Sequence, residues 1–166
     1  MPQPAAKLRV LVADPSSHMA ALIAQMLHSL RIRSVDALVG LEPIASELNR
    51  HAFDFILIDE QLAGGDDFGL IRTLRQTPHH PNRATPIIML AVAPDARMIA
   101  RARDAGVTEF LRKPFSAEHI QLRIDALQKT PRPFVEAPAY AGPDRRRKRV
   151  AGQAQRRASD KSNGAA

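Results

Sequence analysis

The 166-residue chain has no cysteine and no tryptophan, and only one tyrosine. Without cysteine there is no disulfide framework, no thiol chemistry and no cysteine-based metal site. No apolar run reaches the ~18 residues that a membrane span needs, so membrane insertion is not expected. The first residues, MPQPAAKLRVLVAD, lack the charged-then-apolar plan of a secretory leader, and the expectation is a cytoplasmic protein. Ordinary enzyme signatures are missing as well. There is no Ser-His-Asp order, glycine-rich phosphate loop or metal-hydrolase spacing, so an enzyme is not expected. His79-His80 has no further ligands spaced around it.

Charge is present but unevenly placed. The net charge is +7, yet residues 1–129 hold 15 Lys/Arg against 14 Asp/Glu, while residues 130–166 hold 9 against 3. The basicity therefore belongs to the tail, and a terminal block of like charge reads as an interaction segment. The prolines at 131, 133, 138 and 143 make this tail extended and poor in helix. The division is a domain over residues 7–129 and a Pro/Arg-rich tail over 130–166, expected to be disordered unless ligand-bound.

Within the domain, short apolar runs alternate with amphipathic stretches. Leu8–Ala13 reads as a strand ending at Asp14, and Phe53–Ile58 as one ending at Asp59. Pro86–Ala91 is a third such run, and Glu109-Phe110-Leu111 a shorter one before Lys113-Pro114. A further strand is placed around Ser34–Val39. Continuous apolar runs of this length suit strands buried on both faces of a parallel sheet. Between them, Met19, Leu22, Ile23, Met26, Leu27 and Leu30 recur at helical spacing. Helices are also placed near Pro43–Asn49, near Phe68–Arg75, between Asp95 and Gly106, and after Ser116. Five strands alternating with five helices give an α/β fold, a parallel sheet with helices on both faces.

In such a sheet the carboxyl ends of the strands share one edge, where ligands bind. Asp14, Asp59 and Lys113 fall there. Two neighbouring carboxylates call for a cation such as Mg²⁺, and a lysine beside them can hold a phosphoryl oxygen. The set suits phosphoryl acceptance on an aspartate.

The motifs VLVADPS, FILIDE, TPIIMLA and FLRKPFS, in this order, resemble the CheY-like receiver domain of bacterial response regulators over residues 7–129. The resemblance implies the flavodoxin-like strand order 2-1-3-4-5 and Asp59 as phosphoacceptor, served by a histidine kinase. It implies Asp14, Asp59 and the Gln61 carbonyl as Mg²⁺ ligands, Lys113 as the phosphate contact, and Phe110 and Ala91 at the switch positions. Two departures weaken this site. The family usually has an acidic pair where Ala13-Asp14 stands, and Ser or Thr in place of Ala91.

The tail offers a second input. Arginine forks bind phosphate bidentately, stack on flat rings and pair with guanine. Cyclic di-GMP presents both groups, and an arginine-rich extension on a CheY-like domain is similar to the Cle group of CheY-like cyclic di-GMP effectors. Arg145, Arg146, Arg147 and Arg149 are the expected ligand contacts, with Tyr140 stacking on a base and Asp144 accepting from a guanine edge. The resemblance implies a flagellar motor switch protein as partner and recruitment to the flagellated pole. Nucleic acid is the weaker alternative. The domain is nearly neutral, the tail's aromatics are Phe134 and Tyr140 alone, and no DNA-reading module is present.

Overall fold

Each apolar run expected to be a strand is one in the computed structural model, which describes residues 7–63 and 67–146. The strands are β1 (Arg9–Ala13), β2 (Ser34–Leu38), β3 (Phe55–Asp59), β4 (Ile87–Ala91) and β5 (Glu109–Arg112). All neighbours run parallel, in the order β2-β1-β3-β4-β5. The order follows burial: β4 is apolar throughout and β3 is apolar up to its last residue, Asp59, and both are fully buried, whereas β2, with Ser34 and Asp36, takes the edge.

The helices are α1 (Ser17–Ser29), α2 (Leu41–Arg50), α3 (Gly69–Gln76), α4 (Ala96–Ala105) and α5 (Ala117–Lys129). Side chains alternate across the sheet with period two, so each strand feeds two cores. Leu11, Ile56 and Ile58 meet Ile44, Leu48, Ile71 and Leu74 from α2 and α3. Val12, Leu57 and Leu90 meet Ile23 and Leu27 of α1 and Ile120 and Ile124 of α5. Three helix starts carry side-chain caps, those of α4 and α5 at the residues the sequence marks. Ser16 accepts from the Met19 N–H (3.2 Å) and Asp95 from that of Met98 (2.7 Å), and Ser116 and His119 cap each other. Among the described residues no helix is long and apolar enough to cross a membrane.

The tail departs from expectation. Residues 134–143, part of the tail expected to be disordered unless ligand-bound, form an antiparallel hairpin of β6 (Phe134–Ala137) and β7 (Tyr140–Pro143), joined by Pro138-Ala139. Three features explain it. Phe134, Val135 and Tyr140 supply apolar surface, and the Arg83 guanidinium covers the Phe134 ring at 5.1 Å while pairing with Glu136 at 2.8 Å. Gly142 leaves room for the Tyr140 ring and for the turn that ends α4, since a Cβ there would lie 2.6 Å from the Tyr140 Oη and 3.2 Å from the Gly106 Cα. Arg132 ties the incoming chain to Glu109 at 2.8 Å. The hairpin rests beside the C-terminal ends of α3 and α4, over the buried Arg75. That guanidinium donates to the carbonyls of Gly106 (3.0 and 2.9 Å) and Arg83 (2.6 Å).

Candidate functional site

The parallel register brings three strand ends together. Ala13 pairs with Ile58, Asp59 with Leu90, and Ala91 with Arg112, so Asp14, Asp59 and Lys113 emerge at one edge. With β1 and β3 adjacent and β2 on the far side of β1, the crevice between Asp14 and Asp59 is the topological switch point of the sheet. The Lys113 N–H donates to the Ala91 carbonyl at 2.8 Å, which fixes where its side chain begins.

Lys113 Nζ bridges the two carboxylates, 2.8 Å from Asp14 Oδ2 and 2.7 Å from Asp59 Oδ2. Both aspartates are almost fully buried. Their other oxygens are also held: Asp14 Oδ1 accepts from the Ser16 N–H at 2.9 Å, and Asp59 Oδ1 from that of Gln61 at 2.8 Å. Burial is the largest single influence on Lys113 and opposes its charge. The two hydrogen bonds and two attractions together outweigh it, so the ammonium is held above its ordinary value. The bridge thus holds both oxygens of Asp59 in place and sets a fixed cation beside them, where added negative charge would be met.

The remaining expected residues fall as follows. Gln61 lies in a 3₁₀ turn (Glu60–Leu62) directly after Asp59. Ala91 is buried at the end of β4, a methyl with no hydroxyl to donate. Phe110 is half-buried in β5, packed against the core on the α3 and α4 side. Two carboxylates and a nearby backbone give the hard oxygen donors that Mg²⁺ prefers. Among the described residues, however, no three acidic or imidazole groups cluster around one point, and Lys113 already offsets one of the two negative charges.

The tail residues form a second cluster, well apart from this edge. The Arg145 guanidinium stacks on the Tyr140 ring at 4.3 Å and is ion-paired with Asp104 of α4. This packing gives two of the residues singled out from sequence partners within the chain. Tyr140 supports Arg145 and donates its hydroxyl proton to the Pro143 carbonyl at 2.6 Å. Asp144 accepts from the Arg146 N–H at 2.9 Å and so shapes the turn out of β7. Arg147 and Arg149 lie outside the described residues. Sequence reasoning missed Asp104 and Arg75. Arg75 stands four residues after Ile71, on the buried face of α3, and that spacing was a usable signal.

Comparison with known proteins agrees with the geometry. The family model for the response regulator receiver domain matches residues 10–125. The chain is 30% identical over 119 residues to the transcriptional regulatory protein ResD of Bacillus subtilis, which covers 72% of this chain and 47% of ResD. It is 31% identical over 146 residues to the virulence sensor protein BvgS of Bordetella bronchiseptica, covering 82% of this chain and 12% of BvgS. The chain thus spans less than half the length of these relatives. Among solved structures, the chemotaxis response regulator CheY4 of Vibrio cholerae superposes with a TM-score of 0.65 at 20% identity, over 74% of this chain and 99% of that one. The receiver domain of a Pseudomonas aeruginosa sensor histidine kinase, with a magnesium ion in its active-site cleft, superposes at 0.59 and 24% identity, over 73% and 97%. The switch-point crevice, the lysine-bridged aspartates and the matched span lead to one conclusion: this chain belongs to the response regulator receiver domain family.

Proposed function

We propose that this chain is a CheY-like signalling effector whose input is cyclic di-GMP, bound by the arginine-rich segment after β7, and whose partner is a flagellar motor switch protein at the cell pole. The observation that carries the reading is the anchoring of that segment. Arg145 is held between Tyr140 and Asp104, so the basic run that follows starts beside α4 rather than at a loose end. Arg145, Arg146, Arg147 and Arg149 supply the forks for phosphate and guanine. An anionic ligand that takes Arg145 competes with Asp104 and so acts directly on α4. A two-state element responds to a ligand only through such a difference in contacts. Ala91 supports an input other than phosphorylation, because a buried methyl offers nothing for a phosphoryl group to pull on. Calorimetric titration of cyclic di-GMP into the full chain tests the reading. Saturable binding that is lost when the four arginines become alanine is the expected result, and undiminished binding in that variant removes the segment from the mechanism.

The Asp14–Lys113–Asp59 bridge favours a second input, phosphorylation of Asp59 by a histidine kinase. Asp14, Asp59 and the Gln61 carbonyl would hold Mg²⁺, which when bound supplies charge neutralisation at the transferring phosphoryl group. Asp59 would offer a carboxylate oxygen to phosphorus as the phosphorus–nitrogen bond to the kinase's phosphohistidine breaks and the imidazole leaves, and Lys113 would move from carboxylate to phosphoryl oxygen. Acetyl phosphate with Mg²⁺ should label the parent and not Asp59→Asn. A parent chain that takes no label closes this input.

A further inference from the structure

The return of the hairpin completes a groove that neither the domain nor the tail has alone. It lies between the last turn of α4, the start of β5 and the end of α5, and is closed by the residues leaving β7, with a volume of about 640 Å³. That is the size range of small-molecule sites. Leu127, Pro131 and Pro133 give it an apolar wall, and Arg103, Lys129, Arg132 and Arg146 give it positive charge.

Two carboxylates also line the groove, and both are engaged. Glu109 holds Arg132 at 2.8 Å, and Asp144 accepts the Arg146 N–H at 2.9 Å. Among the described residues, Arg103, Lys129 and Arg146 have no carboxylate within ion-pair distance. Arg103 and Lys129 sit in the last turns of α4 and α5. There they offset the partial negative charge of the helix ends, which accounts for part of their placement. Arg146 belongs to no helix, and that explanation does not extend to it. With Arg132 paired to Glu109, these three cations share the concavity with one carboxylate, Asp144, so the lining keeps a surplus of positive charge that an anion would offset. The apolar wall next to them gives an uncharged ring a surface to lie on.

We propose that this groove is the domain-side half of the messenger site. It takes a phosphodiester carrying a flat ring, with Arg103 and Lys129 at a phosphate, the proline and leucine wall against a base, and Arg146 closing from the tail side. The proposal rests on the cyclic di-GMP reading and deepens it: the receiver's own helices share in holding the ligand. A ligand seated there touches α4, β5 and α5 together, so its binding biases that face without any step at Asp59.

Calorimetric titration of cyclic di-GMP into full-length parent, Arg103→Ala, Lys129→Ala and Arg101→Ala tests it. Arg101 is on the same helix and carries the same charge, but lies over the Phe68 ring at 5.9 Å and does not line the groove. Arg103→Ala and Lys129→Ala should each weaken binding about tenfold, the loss of one charge-assisted hydrogen bond. Arg101→Ala should bind as the parent does. Circular dichroism checks that all four chains keep the fold. Parent-like affinity in the two groove variants, or an equal loss in Arg101→Ala, overturns the groove while leaving the tail reading intact. A parent that binds nothing overturns the tail reading itself, and the groove with it.

Discussion

Replacing Lys113 with methionine isolates what the bridging ammonium does. Among the described residues it is the only cation ion-paired to Asp14 or Asp59. Because both Oδ2 atoms touch one nitrogen, at 2.8 and 2.7 Å, they are at most about 5.5 Å apart. At an effective dielectric of 20, chosen because solvent still reaches the lysine, two unit charges at that distance repel by about 3 kcal/mol. Losing one partner of a buried pair costs about 3–5 kcal/mol, so Lys113→Met should lose an amount in this range at neutral pH. In the parent, Lys113 is held above its ordinary value. Its contribution is complete below the unfolded-state lysine range, about 10.4, and fades only as pH rises through the higher folded value. Lys113→Met lacks this group, so urea unfolding followed by circular dichroism, at about pH 7.5 and about pH 11, should show the gap between the chains narrowing as pH rises. Mg²⁺ should stabilise the variant more than the parent, since it then faces two unopposed carboxylates. A variant within about 0.5 kcal/mol of the parent, or a gap that ignores pH, refutes the reasoning.

Two further predictions concern the hairpin. Tyr140 is the only tyrosine and there is no tryptophan, so phenolate absorbance reports this residue alone. Burial pushes its pKa up, against the opposing pull of Arg145. Ionisation should therefore begin above the free-tyrosine range of about 10. The stability from the buried neutral phenol, present below that range, should be lost as pH climbs through the folded value. A free-tyrosine titration curve would mean that the hairpin leaves Tyr140 in water. Arg75→Met tests the support beneath. Burial lowers the Arg75 pKa to about 10, and its three hydrogen bonds go to carbonyls rather than to a carboxylate. The apolar variant escapes the desolvation cost but strands two carbonyls, at about 1–3 kcal/mol each plus the lost charged bonds. A net loss of about 3 kcal/mol in urea, with faster amide exchange in residues 134–143, is expected. A variant as stable as the parent would mean that the guanidinium is a burden the fold carries without return.

The domain was legible because local and global signals agree in it. An apolar run such as Phe55–Ile58, closed by a single carboxylate, says both that the strand is buried and where it ends. The same pattern at Asp14, together with the strand end before Lys113, places the site by topology. The bridging hydrogen bonds were not legible, since they depend on side-chain reach across three strands. The hairpin was hidden for a different reason. Its prolines and its polar surroundings read as an extended segment, while its burial comes from outside, from Arg75, Arg83 and the bare Gly106–Gly142 contact. Arg75 itself was masked by its charge, although its spacing from Ile71 and Leu74 put it on the buried face. Tyr140 and Arg145 were both singled out from sequence, yet their first partners are each other and Asp104.

An isotope-edited NMR titration of cyclic di-GMP against the full chain tests the central claim, that the input lies at the tail and reaches α4. The account predicts saturable shifts at residues 103–106 and 140–149 with the surroundings of Asp59 unchanged. Shifts confined to Asp14, Asp59 and Lys113, or none at all, would contradict it.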